Sequence, residues 1–311
     1  DHRDLHSFPT RRSSDLLYPL LIFVGIGALT DFGPLLENPK FVLLGAAGQF
    51  GIFMTLILAL LLGFTQNEAA SIGIIGAIDG PTSIYVSGIL APHMLGPITV
   101  AAYSYMSLVP IIMPPVIFAL TSKEERAIRM PYSSRKISQR TRIMFPIIVT
   151  VMVGTLVPFA TPLIGMLMLG NLMKESGAVE RLTKASSNEI ANMVTLFLGL
   201  AIGSTMVGTD FLKTQTLFIL ILGLLAFGVD CAAGVLFAKV LNVVTGGKVN
   251  PIIGAAGISA FPMAARVCQR VAQQENFDNF LLMHAMGANA AGQVASVVAG
   301  GVVLALMGAG G

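Results

Sequence analysis

The sequence predicts an all-α membrane protein, and three observations carry the prediction. Only 11% of its 311 residues are Asp, Glu, Lys or Arg, against about 25% in a soluble domain. Apolar residues make up 54%, and the mean hydropathy is +0.79. Uncharged apolar runs recur at lengths that suit a hydrocarbon core of about 30 Å at about 1.5 Å per helical residue. A water-soluble enzyme is excluded. Cys231 and Cys268 sit in apolar stretches without ligand spacing, so neither a zinc site nor a disulfide framework is readable.

The elements follow in order. Residues 1–16 are polar and lack the apolar centre of a signal peptide. Arg11-Arg12 is followed by Ser13-Ser14-Asp15, which spoils a twin-arginine signal. The run from His6 to Leu16 resembles one reading frame of a common sequencing adapter, so 1–16 are expected to be foreign. Residues 17–311 are then the membrane domain, expected to be truncated at its N-terminus.

Residues 17–30 are apolar but short, and Asp31-Phe-Gly-Pro supplies turn chemistry. Residues 41–64 are uncharged and long enough to span. From 69 to 122 the only acidic or basic residue is Asp79. Seven of the 19 Lys and Arg then fall between Thr121 and Arg142, against only Glu124 and Glu125. Flanked by membrane-length segments, this stretch is expected to be a cytoplasmic loop rather than a nucleic-acid surface.

Residues 143–173 are uncharged, with Pro146, Pro158 and Pro162 expected to kink or break the helix. Residues 174–189 mix both charges and read as an exposed connection or short surface helix. Spans are expected at 190–209 and 214–238, with Asp230 near the second one's end. Residues 249–265 are short and rich in Gly and Pro, and 279–307 form the last helix. The count is seven to nine embedded segments, multi-pass in the cytoplasmic (inner) membrane.

Two segments break the pattern. Residues 76–85 (GAIDGPTSIY) and 250–262 (NPIIGAAGISAFP) set Gly and Pro beside polar groups inside apolar stretches. Unwound backbone at membrane depth must face protein or a watery cavity. Paired breaks in the two halves of a chain point to a transporter's midplane site. The expected architecture is therefore two broken or re-entrant helical segments meeting near the bilayer midplane, in transporter-like inverted halves.

Asp79 is the sharpest signal, because an ionisable group in a membrane segment costs a few kcal/mol even on lenient scales. Asp-Gly-Pro also suits a structural cap on a half-helix, and the two roles are compatible. Asn250, Asn289 and Ser259 supply neutral oxygens of the kind hard cations accept; singly, each also reads as a cap or interhelical hydrogen bond. One carboxylate with several neutral oxygens suits Na+. Arg266 reads equally as a snorkelling interface residue or a partner for an anionic substrate. Tyr103 and Tyr105 read as interface anchors or, with Ser104 and Ser107, as polar lining. His93 and His284 read as loop or interface residues, and Asp31, Asp210 and Asp230 as solvated groups at span ends.

Three motifs carry a resemblance. GAIDGPTSIYVSGILAP with Tyr103 and Tyr105, NPIIGAAGISAFPMAARV, and FLLMHAMGANAAGQV resemble the signatures of the beta subunit of sodium-pumping biotin-dependent decarboxylases. The resemblance covers about 17–307. It implies a membrane subunit that releases CO2 from carboxybiotin, exports Na+ and takes up a proton. Asp79 matches the sodium-binding aspartate. Asn250, Gly254, Ser259 and Arg266 match the second motif's positions, Asn289 the last helix's asparagine, and Tyr103 and Tyr105 the paired tyrosines.

On this resemblance Asp79, Ser259, Arg266, Tyr103 and Tyr105 are catalytic, and Arg266 meets carboxybiotin. Na+ lies among Asp79, Asn250 and Asn289, with Gly254 and Ser259 nearby. The biotin is carried by a partner, since no Ala-Met-Lys-Met occurs here. The implied partners are an alpha carboxyltransferase and biotin-carrier subunit and a small gamma membrane anchor, in an oligomer in the bilayer. The other reading is a sodium-coupled secondary transporter of a small organic anion.

Overall fold

The computed structural model of the chain describes residues 10–131, 137–204 and 213–308. Residues 1–9 of the expected foreign stretch, 132–136 of the basic stretch, and Asp210 with the end of the expected 190–209 span lie outside the described residues. Among the described residues every regular element is helical. In order the helices are α1 (Thr10–Leu29), α2 (Gly33–Glu37), α3 (Val42–Ala47), α4 (Phe50–Leu61), α5 (Gln66–Gly73), α6 (Gly80–Leu90), α7 (Leu95–Leu120), α8 (Lys123–Arg126), α9 (Gln139–Leu156), α10 (Thr161–Ser176), α11 (Glu180–Ala185), α12 (Ala191–Gly203), α13 (Thr214–Val244), α14 (Met263–Glu275) and α15 (Leu282–Gly308).

Among the described residues, four stretches are long and apolar enough to cross a membrane: Pro39–Leu61, Pro92–Leu120, Thr214–Val244 and Leu282–Gly308. They carry large apolar side chains outward, such as Ile57, Ile111, Leu217 and Leu224, which suits a lipid solvent and not water.

The remaining helices are shorter because the sequence interrupts them. The expected break in 143–173 falls at Val157, which ends α9 just before Pro158, where the residue preceding a proline leaves the α region. Pro146 is absorbed inside α9. Residues 174–189 are helical except for a turn at 177–179: α10 runs to Ser176, and α11 continues through one π-helical turn, Ser186–Ile190, into α12. The first helix starts at Thr10, before the apolar run.

The basic stretch is pinned to the bundle. Arg126 is buried and gives Nε and Nη2 to Glu275 Oε1 at 2.8 and 2.6 Å, with its guanidinium 4.8 Å from the Phe118 ring. A buried charge persists only when paired and hydrogen-bonded, and Arg126 meets both conditions. Asn250 and Asn279 then hold the carbonyls of Arg126 and Ile128 with their amide groups.

Two breaks interrupt the helices around the core. In the first, α5 tightens into a 3₁₀ turn, Ile74–Ala77, and Ile78 takes the left-handed region at φ 53° and ψ 41° before α6 begins. That region is costly for a β-branched residue. Ile78 is nonetheless wholly buried, so the surrounding packing imposes it. Two of the carbonyls freed by the break are satisfied by serines: Ser83 Oγ donates to Ile74 O at 3.3 Å and Ser259 Oγ to Ala77 O at 2.5 Å.

In the second break Asn250 caps a seven-residue 3₁₀ helix, Pro251–Gly257, longer than such helices usually run. It survives because α13 passes against it: a Cβ on Gly254 would lie 2.0 Å from Gly234 O, and one on Gly234 would lie 2.2 Å from Gly254 O. The backbones touch there, and only glycine permits it. The Ser259–Ala77 bond joins the two breaks directly.

Candidate cation site

Asp79 is the N-cap of α6, in extended backbone, with Pro81 in the first helical turn where its missing N–H costs nothing. The side chain is 3% exposed. Its Oδ1 accepts from Thr82 N at 3.5 Å; its Oδ2 accepts from Thr82 Oγ1 at 2.7 Å, Ser296 Oγ at 3.0 Å and Gln293 Nε2 at 3.2 Å. The cap and the buried charge are therefore one group.

Gln293 and Ser296 come from α15, which carries Asn289, Gln293 and Ser296 at spacings of four and three, one helical face. That stripe crosses from one break to the other. Asn289 Nδ2 donates to Ile258 O at 2.6 Å, while its buried Oδ1 has no partner. Gln49, between α3 and α4, does the same one residue away: its Nε2 reaches Gly257 O at 3.3 Å and its buried Oε1 is unpartnered. Buried acceptors without donors are rare. Two carboxamides anchored on consecutive carbonyls, each with a bare oxygen, suit a cation.

The chemistry of the Asp79 group points the same way. Thr82, Gln293 and Ser296 donate to the carboxylate here, yet each also carries an oxygen with free lone pairs. Rotating two hydroxyls and turning one amide converts three donors into three ligands. A hard cation accepts such a set.

The expected site residues separate into groups. Asp79, Ser259 and Asn289 meet around the two breaks. Tyr103 joins them, because its ring lies over Gly80, where a Cβ would sit 2.7 Å from the ring. Tyr105, two residues on and so on another side of α7, turns away: its hydroxyl donates to Leu220 O and its ring packs on Gly223. Asn250 is not brought to Asp79. Its amide holds the Arg126–Ile128 turn, and its Oδ1 accepts from Ile252 N at 3.0 Å. Gly254 is a packing position against α13. Arg266 is exposed on the first turn of α14, and its side chain makes no hydrogen bond or ion pair among the described residues.

Two expectations are corrected. Asp230 is no solvated span end: α13 runs on to Val244, so Asp230 falls inside the helix and is wholly buried. Its Oδ1 accepts from Gly51 N, on the first turn of α4, and its Oδ2 has no partner. A first-turn N–H lacks an intrahelical acceptor, and Asp230 supplies one from another helix. His284 is 5% exposed, edge-on to Phe41 and within 3.3 Å of Met130 O, so of the loop and interface readings the loop one falls: it is packed on the first turn of α15. His93 does remain exposed, 2.9 Å from Glu68. Thr82, Gln293, Ser296 and Gln49 were not anticipated. The four-and-three polar spacing on an uncharged helix was the available signal for two of them; Gln49 carries none.

Among the described residues, four membrane-length helices and a carboxylate buried between broken segments, with oxygen-bearing side chains turned on it, define a helical membrane protein with a candidate cation site. Comparison with known proteins specifies it. Residues 5–307 match the family described as Na+-transporting oxaloacetate decarboxylase beta subunit. Oxaloacetate decarboxylase beta chain 2 of Salmonella typhi is 56% identical over 292 residues, covering 92% of this chain and 67% of that protein. Methylmalonyl-CoA decarboxylase subunit beta of Propionigenium modestum is 56% identical over 293 residues, covering 94% and 74%. Glutaconyl-CoA decarboxylase subunit beta of Acidaminococcus fermentans is 54% identical over 292 residues, covering 94% and 78%. The chain belongs to this family of membrane beta subunits of Na+-transporting decarboxylases. The match does not favour the carrier reading.

Proposed function

We propose that the chain couples decarboxylation of carboxybiotin, carried by a partner subunit, to export of Na+ in exchange for a proton, with Asp79 as the exchanging group. One observation carries this reading: the one Asp, Glu, Lys or Arg between 69 and 122 is a buried carboxylate at a helix break. It is ringed by side chains that serve either as donors or as cation ligands. One carboxylate cannot be neutralised by Na+ and H+ at once, so the two ions exclude each other there.

Asn289 and Gln49 offer further oxygens, and Ser259, which links the breaks, relays their movement. Asn250 acts by positioning the second break. Tyr103 closes the Asp79 end, and Tyr105 fixes α7 on α13. Loss of CO2 from carboxybiotin leaves a ureido nitrogen that needs one proton, which displacement by Na+ at Asp79 would release. Arg266, exposed and unpaired, fits an anion and would hold the carboxylate of the incoming group. Midplane placement of the breaks in inverted halves, several passes through the cytoplasmic membrane, and alpha and gamma partners belong to the same proposal.

The test is decarboxylation rate against sodium concentration in the assembled complex. Asn289→Ala and Gln49→Ala are each expected to raise half-saturating sodium about tenfold, roughly 1.4 kcal/mol for one neutral ligand. Maximal rate should change little. Unaltered sodium dependence in both variants would remove the neutral oxygens from the site.

Orientation is tested separately. Gln139 is exposed at the end of the basic stretch, so Gln139→Cys should resist an impermeant thiol reagent outside intact cells and react in inverted vesicles. Rapid labelling from outside would reverse the orientation.

A further inference from the structure

A half-open cavity of about 570 Å³ lies where the start of the Pro39–Leu61 stretch, the end of α13 and the Arg129–Pro131 segment converge. Lys40, Arg129 and Lys248 line it, and no Asp or Glu does. The ammonium groups of Lys40 and Lys248 make no hydrogen bond or ion pair among the described residues. Arg129 has only Asp278 at 3.6 Å, both side chains largely exposed, and Asn276 Oδ1 at 3.2 Å. Exposed pairs of that kind hold weakly. Three like charges around one cavity repel each other unless an anion enters.

The surroundings indicate which anion. Val244 lines the cavity, and Val243 and Val244 are 79% and 76% exposed, an apolar rim beside a basic hollow. Arg129–Pro131 lies within the lysine- and arginine-rich stretch that the charge rule places on the cytoplasmic side. Basic pockets between helices on that side suit the head groups of anionic lipids.

We infer that this cavity binds the phosphate head group of an anionic phospholipid, with Lys40, Arg129 and Lys248 around the phosphate and the acyl chains leaving past Val243 and Val244. The site is separate from Asp79, and its test does not depend on sodium pumping.

The complex is reconstituted in phosphatidylcholine vesicles containing trace spin-labelled phosphatidylglycerol or, separately, spin-labelled phosphatidylcholine. The motionally restricted fraction is read by electron paramagnetic resonance. The wild type should immobilise phosphatidylglycerol preferentially. Lys40→Gln and Lys248→Gln should each cut that preference about fivefold, while Lys40→Arg and Lys248→Arg retain it. Retention in the arginine pair also guards against misfolding of the glutamine variants.

Equal immobilisation of both lipids by the wild type overturns the proposal, as does unchanged selectivity in the double glutamine variant. Release of the labelled phosphatidylglycerol by inorganic phosphate would assign the cavity to free phosphate instead. Unaltered lipid selectivity with impaired use of the biotinylated partner would assign it to that partner. Either result removes the lipid.

Discussion

Asp79→Asn is expected to abolish sodium-dependent decarboxylation and Na+ transport in the assembled complex, a loss of more than about a hundredfold, while carboxyl transfer to the partner's biotin continues. The amide keeps the size of the side chain and one oxygen, so the cap on α6 survives. It loses the charge that makes Na+ preferable to a vacant site, and it cannot trade a cation for a proton. Its NH2 would also face Thr82, Ser296 and Gln293, all of which donate to Asp79 Oδ2. A donor set against donors in a buried site costs about 1–3 kcal/mol. The measurement is rate against sodium concentration, beside 22Na uptake into inverted vesicles. An active variant with ordinary sodium activation would sink the site.

Gly254→Ala should act through the fold and not through the ion. The added methyl would lie 2.0 Å from Gly234 O, backbone against backbone, with no flexible neighbour to give way. Pro251–Gly257 and α13 must separate, and overpacking of this kind costs about 1–3 kcal/mol or more. Thermal unfolding in detergent should fall by about 5 °C or more. Half-saturating sodium in the protein that still assembles should be close to wild type. Normal unfolding with weakened sodium binding would instead make Gly254 part of the ion site.

Much of this arrangement is legible in order along the chain. The helical membrane class follows from few charges and long apolar runs. The break at Asp79 follows from Asp-Gly-Pro, which stops one helix and caps the next whatever surrounds it. Val157 ends α9 because Pro158 follows. These are local effects, decided by a few neighbouring residues.

Thr82 is a local partner of Asp79, but Gln293 and Ser296 lie more than two hundred residues away in sequence. Their four-and-three spacing with Asn289 marks a face but does not say what the face meets. Gln49 stands alone in an apolar run, and nothing local separates a free oxygen from a satisfied one. Asp230 was misplaced for a related reason. Its helix continues beyond the apolar stretch to Val244, so a count of apolar residues set the span's end too early.

The amino-acid sequence by itself determined the solvent, the helices, the two breaks and the single carboxylate in the first of them. Each of these depends on hydropathy, capping and proline chemistry within a few residues. The tertiary structure alone decided which oxygens surround that carboxylate. It sent Tyr103 to Gly80 but Tyr105 to Leu220, turned Asn250 to the Arg126–Ile128 segment, and drew Asp230 against Gly51. Those outcomes depend on how distant helix faces pack, and close packing at glycines such as Gly234 and Gly254 sets that register to within a methyl group.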